Sequence, residues 1–325
     1  MAYTSGDTIL DDHYNIFVQG GASAVDHNTA NLNTIWATGT GDKGYGGTGL
    51  STVSAGSTIT ATQWVNLLNR MTAIANHQGS SITAISNPAT GDTISAYTAL
   101  SGNISTIFTN RLNCAASGTT ASTASSGINT WRDKQTTTFS VTFASADQAR
   151  YFFNAGGRLS LTHSRSGGTA SSKNTAWTAL CSACGTLYMS GGSGTATIAG
   201  GSYTGSNKSG GSGTATVATT TGFYDLTTTA TQNFIQYDAT YLYTANYIQV
   251  QVSKNAGGTI FYVTVNYIDA ADSSNWGESA ELDETVDGTL TATLGVIPPA
   301  TTYLGSATWG TVSVTNTAMG GDTYV

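Results

Sequence analysis

Apolar positions recur at helical spacing through the first 115 residues of this chain. Trp64, Leu67, Leu68, Met71, Ile74 and Ala75 fall on one stripe, and Thr60 with Gln63 supplies a capping box to open it. Leu10, Tyr14, Phe17 and Val18 form a similar stripe, as do Tyr97, Leu100, Ile104, Ile107 and Phe108, and a further helix is predicted over Asp26 to Trp36. The phrases Gly6-Asp-Thr-Ile9, Gly56-Ser-Thr-Ile59 and Gly91-Asp-Thr-Ile94 precede the three stripes as a weak repeat. One amphipathic helix cannot bury its stripe alone, so these helices are expected to pack on each other, on the rest of the chain or on neighbouring subunits. Trp64, Leu67, Leu68 and Met71 are the predicted packing residues.

Beyond a polar stretch from Ala115 to Gly127 the rhythm changes to period two. Phe139, Val141 and Phe143 alternate with polar residues as a half-buried strand does, and Ser145-Ala-Asp-Gln148 then reads as a capping box. A short helix carries Ala149, Phe152 and Phe153, Gly156 and Gly157 end it, and Leu159 and Leu161 restart the alternation. Phe139, Phe143, Phe152 and Phe153 are predicted core. A second short helix, capped by Asn174 or Thr175, holds Trp177, Leu180, Cys181 and Cys184, stops at Gly185 and runs into a strand over 186–189. Two copies of a Gly-Gly-Ser-Gly-Thr-Ala-Thr phrase begin at Gly191 and Gly210, each predicting a loop and a short strand from one sheet. Tyr247 to Ile268 reads as a hairpin turning at Asn255-Ala-Gly-Gly258, with further strands over 288–297 and 310–317. The fold class is therefore α+β and mainly β. A helical attachment or oligomer-contact region at 1–115 leads through a linker at 116–135 into an antiparallel sandwich or jelly-roll-like domain at 136–325 with two short helices.

The phrase ADQARYFFNAGG at 146–157, followed by a strand and the SRSGG turn at 164–168, resembles virion structural proteins of tailed bacteriophages, notably those of marine cyanobacteria. So do Ser5-Gly-Asp-Thr-Ile-Leu-Asp-Asp-His-Tyr14, Thr60-Ala-Thr-Gln-Trp-Val-Asn-Leu-Leu68, and Thr175-Ala-Trp-Thr-Ala-Leu180 ending in Cys-Gly-Thr. The resemblance implies a non-enzymatic particle component made in the host cytoplasm and residing in the virion. Its expected partners are further copies of itself, as a trimer ahead of other states, and other virion proteins. A tail-associated, neck or fibre-like place is favoured over capsid decoration.

Composition narrows the alternatives. Only 9% of the 325 residues are charged, against about a quarter in an ordinary soluble domain, and Thr, Ser, Gly and Ala fill the difference. Thr suits strand surfaces, so this composition favours β structure over disorder. The net charge of −7, with no Lys or Arg after Lys254, argues against nucleic-acid binding, which needs clustered cations. No run of eighteen apolar residues and no signal-peptide pattern is present, so membrane insertion is not expected.

Candidate chemistry is sparse. Gly39-x-Gly41-x-x-Gly44 follows a helix instead of a strand and precedes more glycine, so it reads as a flexible surface or inter-subunit loop instead of a dinucleotide site. Cys181 and Cys184 form a C-x-x-C without a second pair, which reads as buried thiols. His13, His27, His77 and His163 belong to no catalytic motif; His163 falls in phase with an apolar face, and His13 and His77 are expected to bond backbone ends. No cofactor is expected. Asp269, Asp272 and Asn275 are weak calcium candidates in an acidic loop that lacks the EF-hand order. Tyr237, Tyr241, Tyr243 and Tyr247 crowd a predicted strand pair. They read either as core and interface or as an aromatic face for a host surface glycan, the second making the chain a receptor-binding adhesin-type module.

Overall fold

Residues 11–20, 30–87, 96–192, 194–271, 285–305 and 308–320 are described by a computed structural model of the chain. Four helices come first: α1 (Asp11–Gln19), α2 (Leu32–Trp36), α3 (Ala61–Gln78) and α4 (Tyr97–Thr109). There follow β1 (Ser122–Ile128), β2 (Lys134–Thr142), α5 (Ala146–Asn154), β3 (Arg158–Ser166), α6 (Ser172–Cys184) and β4 (Thr186–Met189). Next are β5 (Ala196–Ile198), β6 (Gly201–Tyr203), β7 (Ser206–Ser209), β8 (Thr216–Val217) and β9 (Thr231–Tyr237). The chain closes with β10 (Tyr247–Lys254), β11 (Ile260–Ile268), β12 (Thr289–Ile297) and β13 (Ser313–Asn316).

The protein is α+β and mainly β, with antiparallel sheets. One sheet has the order β1-β12-β3-β4-β7, a second β13-β2-β11-β10-β9-β8, and β5 and β6 pair as a small ribbon. Alternation decides what faces inward: Phe139 and Val141 on β2, Ile248, Val250 and Val252 on β10, and Phe261, Val263, Val265 and Tyr267 on β11 are buried. Leu159 and Leu161 on β3 and Leu290, Ala292, Leu294 and Val296 on β12 are buried from the other sheet. The two sheets thus bury their inner faces as a sandwich does. His163 Nδ1 on β3 and the Tyr267 hydroxyl on β11 are 2.8 Å apart, bonding one sheet to the other.

In the strand-helix-strand of β2, α5 and β3, the Ser145 side chain accepts from Gln148 N at 3.1 Å and so opens α5. Phe139, Phe143, Phe152 and Phe153 are all buried, and Phe153 stacks on Phe223 with ring centres 4.7 Å apart. The two glycines that end α5 differ in their reason. Gly156 combines φ +98° with a position where a Cβ would lie 2.4 Å from Cys114 Cβ, while Gly157 is required by crowding alone, a Cβ there lying 2.6 Å from the Phe152 ring and carbonyl.

One cluster of buried side chains runs from the helices into the sandwich. It contains Trp64, Leu67, Leu68 and Met71 of α3 together with the inward residues of both sheets. The capping box of α3 forms in full between Thr60 and Gln63, and Gly79 ends that helix with φ +73°.

Four sequence expectations change. The helix expected from Asp26 starts at Leu32, because Asn31 takes the N-cap and accepts from Thr34 N at 2.9 Å; 26–29 lie outside the described residues. The stretch 116–135, expected as a linker, contains β1, paired along its length with β12 from Ser122↔Val296 to Ile128↔Leu290. As an edge strand of small polar residues with only Ser126 buried, β1 had no apolar alternation to display. The cap of α6 is Ser171, which accepts from Asn174 N at 3.2 Å. Finally, the two glycine-rich copies serve different sheets, one feeding the β5–β6 ribbon and the other β8 beside β9.

The loop from Gly39 to Gly47 is not the flexible surface loop that its glycines predict. Asn154 at the end of α5 aims its Nδ2 at the carbonyls of Gly41, Lys43 and Gly44, at 3.2, 3.1 and 3.0 Å. Arg150 donates to Thr38 O at 3.2 Å and to the Lys43 carbonyl. Tyr45 is buried, its hydroxyl donating to Arg111 O at 2.6 Å and accepting from Gln78 Nε2 at 2.9 Å. Glycine is required here by contact as well as freedom: at Gly46, with φ +78°, a Cβ would fall 2.4 Å from the Tyr151 ring. The loop fastens the helical region to the strand-helix-strand.

Candidate functional site

The tyrosines expected to share a face divide between surface and interior. Tyr237, at the end of β9, is 53% exposed and Tyr241, in the following turn, 84% exposed. Tyr247 opens β10 opposite Tyr237, and the two rings lie 5.2 Å apart. Tyr243 does not join them. Leu242 takes φ +76°, which turns the chain, and Tyr243 is buried against Ala176 and Ala271. The Tyr224 side chain lies elsewhere, its hydroxyl bonded to Asn154 Oδ1 at the loop clamp.

Beside Tyr237 is a pocket of about 230 Å³. One wall is apolar, formed by Ala179, Leu180 and Ala183 of α6, and the others come from the 212–214 loop and from Gln236 to Thr240. Lys208 Nζ holds the loop by donating to Ser212 O and Gly213 O at 3.0 and 3.2 Å. Gln236 Nε2 also donates to Ser212 O at 3.0 Å. That carbonyl can only accept, so the amide orientation of Gln236 is determined and its Oε1 points elsewhere. Gln236 Oε1 is buried and makes no hydrogen bond among the described residues. Asp238 presents the same state: Oδ1 accepts from Thr240 N at 2.7 Å, while Oδ2 is buried with no partner among the described residues. Burial pushes the Asp238 carboxyl up from its ordinary value, and the Thr240 backbone and hydroxyl together with the Ala239 backbone oppose the shift.

Of the calcium candidates, Asp272 and Asn275 lie outside the described residues. Asp269 is engaged: its Oδ2 is 2.7 Å from Lys173 Nζ, with both side chains 2% exposed. The Asn246 amide and the Trp177 indole face the same carboxylate. Desolvation raises the Asp269 pKa and Lys173 lowers it. The pair ties the end of β11 to α6. No group of three or more metal-ligating His, Cys, Asp or Glu side chains occurs among the described residues.

A second polar knot joins the same N-terminal end of α6 to the segment that leads into β12. Arg165 donates through Nε to Asp287 O at 2.9 Å, and through its terminal nitrogens to Asn174 O at 3.0 Å and Asp287 Oδ1 at 3.2 Å. Asp287 in turn accepts from Thr169 N at 3.0 Å and from the Asn174 amide, and these bonds hold its carboxyl below the usual range. An open groove of about 670 Å³ runs beside this knot, lined by Ser, Thr, Gly and Ala together with Arg165.

The histidines and cysteines described are structural in their contacts. His77 Nε2 donates to Ala155 O, the C-cap of α5, at 2.9 Å, and burial lowers its pKa to about 4. The same cause lowers His163 to about 4. His27 lies outside the described residues, and His13 is buried. Cys114, Cys181 and Cys184 are free, buried thiols, and burial pushes Cys184 up to about 12. No helix among the described residues is long and apolar enough to cross a membrane.

Sequence reasoning missed Gln236, Asp238, Lys173 and Asn154, whose roles depend on residues distant in the chain. The one local signal was Asp238, a single acid set among Tyr237 and Ala239 in an otherwise uncharged stretch. No protein-family model, no curated protein and no solved structure matches the chain.

Proposed function

We propose that this chain is a non-enzymatic structural subunit of a tailed-phage particle, acting by symmetric assembly with copies of itself and with neighbouring virion proteins. The observation that carries the reading is the phrase ADQARYFFNAGG at 146–157. Its residues form α5 and the Gly156-Gly157 stop, and the same helix holds the 39–47 loop through Asn154 and Arg150. The phrase that carries the resemblance is thus also the joint between helices and sandwich. In a symmetric particle many copies repeat one modest interface, so multivalency supplies the strength of assembly. A tail, neck or fibre-like position is preferred to capsid decoration, and a trimer to other states. Mass spectrometry of purified particles should find the chain in stoichiometric amount, and a low-resolution map should place it; its absence from purified particles would overturn the reading.

The exposure of Tyr237 and Tyr241 favours a second reading, in which the same subunit contacts a host surface glycan. Large exposed aromatic rings offer a flat apolar face that suits the C–H face of a sugar. Saturable binding to host envelope polysaccharide, weakened by Tyr241→Ala, is the expected result. Undiminished binding by that variant would remove Tyr241 from the contact.

A further inference from the structure

We propose that Lys173 and Asp269 condense to an amide, a covalent bond from Nζ to Cγ that staples the start of α6 to the end of β11. The bond is internal to one chain, so it stands apart from any role of the chain in a particle.

The two reacting groups are already in place. Lys173 Nζ lies 2.7 Å from Asp269 Oδ2, and Cγ, the atom to be attacked, is one bond beyond that oxygen. Both side chains are 2% exposed, so amine and carboxyl are held together with bulk water shut out. Groups positioned in this way react with effective molarities of about 10⁵–10⁸ M. A dry site also disfavours the reverse reaction, which needs water.

Two buried N–H groups are the second observation. Asn246 Oδ1 accepts from Ala271 N at 2.8 Å, which fixes the amide orientation and leaves Nδ2 to face Asp269. The Trp177 indole faces the same carboxyl. Asn246 Nδ2, Trp177 Nε1 and Asp269 Oδ1 are all buried, and none closes a hydrogen bond among the described residues. Two donors thus stand beside one acceptor without being satisfied by it. Donors aimed where charge develops stabilise the oxyanion of a tetrahedral intermediate more than the ground-state oxygen. Burial also raises the Asp269 pKa, although Lys173 opposes the shift, and this favours the neutral acid from which condensation proceeds.

The step needs no further reactant. One proton passes from Nζ to Oδ2, Nζ attacks Cγ, and negative charge gathers on Oδ1 before the Asn246 and Trp177 donors. A second proton then passes from nitrogen to Oδ2, the Cγ–Oδ2 bond breaks, and Oδ2 leaves as water. Nothing is oxidised or reduced. All three cysteines are free, so the amide gives this chain the restriction of its unfolded state that a disulfide gives others. An ion pair that never reacts is the competing state of the same residues.

Intact mass spectrometry of the full chain, denatured after purification, separates the two. The mass should fall below that of the sequence by one water molecule. Trypsin should then leave residues 166–208 joined to residues 255–325, because an acylated Lys173 is not cleaved and no Lys or Arg follows Lys254. Lys173→Arg keeps the positive charge but cannot form this amide, and Asp269→Ala removes the carboxyl; each should show the full mass of its sequence. These masses are read whether or not the variants fold. A parent chain at its full sequence mass, with Lys173 and Asp269 recovered in separate linear peptides, overturns the proposal. So does a missing water that peptide mapping places elsewhere, such as at Asp287-Gly288, or one that persists in Lys173→Arg.

Discussion

Lys173 Nζ lies 2.7 Å from Asp269 Oδ2 inside the protein, each side chain 2% exposed, and this pair locks α6 against the end of β11. Removing one partner of such a pair strands a charge, which typically costs about 3–5 kcal/mol, whereas replacing both by apolar or neutral groups can be close to neutral. Lys173→Met should therefore lower stability by about 3 kcal/mol. Adding Asp269→Asn should recover part of the loss, as read by urea unfolding of the two variants and the double variant. Equal losses for single and double variants would show that the pair is not coupled.

Acid should destabilise the protein through His77 and His163. Both are held near pKa 4 by burial, against 6.5 for the free side chain. The unfolded chain therefore binds protons first as the pH falls. The stability contributed by these neutral rings is complete above pH 6.5 and is lost progressively between 6.5 and 4, at up to about 1.4 kcal/mol per pH unit for each ring. His77→Gln keeps a donor for Ala155 O and should flatten the dependence of melting temperature on pH in this window. An unchanged slope would place the acid sensitivity elsewhere.

Asn154→Ala should release the 39–47 loop. It removes the donor shared by the carbonyls of Gly41, Lys43 and Gly44 and leaves the buried Gly44 carbonyl unmet, while Arg150 still donates to Lys43 O and Tyr224 to Gly41 O, a loss of about 1–3 kcal/mol. Hydrogen exchange should quicken first at the amides of Tyr45, Gly46 and Gly47, which bond the carbonyls of Trp36 and Ala37. Uniform acceleration over the whole chain would mean that the loop has no separate opening.

Gly156→Ala and Gly210→Ala separate crowding from backbone strain. Both glycines have positive φ, +98° and +68°, but a Cβ at Gly156 would meet Cys114 Cβ at 2.4 Å, while nothing lies within 4 Å at Gly210. The Gly210 variant should lose about 1 kcal/mol from the left-handed backbone alone. The Gly156 variant should lose a further 1–3 kcal/mol, roughly, from overpacking. Thermal unfolding of the two variants checks the order.

All three thiols should be unreactive in the native protein. Cys114, Cys181 and Cys184 are 1% exposed, and burial raises the pKa of each, so little thiolate forms and little reagent reaches it. A colorimetric thiol reagent at pH 8 should react only after denaturant is added. Rapid reaction of one thiol under native conditions would mark a local opening around it.

The amino-acid sequence by itself determined the type and place of most elements. The stripe of α3, the alternation of β2, β10 and β11, and the stops at Gly79, Gly156 and Gly185 are local properties, set by side-chain burial and backbone freedom within a few residues. The edge strand β1 was illegible because its small polar residues carry no alternation, and its partner β12 lies far along the chain. The same limit governs the glycine-rich loop, which looks flexible until Asn154 and Arg150 are brought to its carbonyls, and Asp269, which looks like a cation ligand until Lys173 occupies it. Clustering in sequence placed Tyr243 with Tyr237 and Tyr241, yet the turn at Leu242 buried it. The pocket was legible only as a lone acid at Asp238. Its apolar wall and the buried side chains of Gln236 and Asp238 beside it arise where α6, β9 and the 212–214 loop converge, and that convergence is a property of strand order and packing that no local pattern encodes.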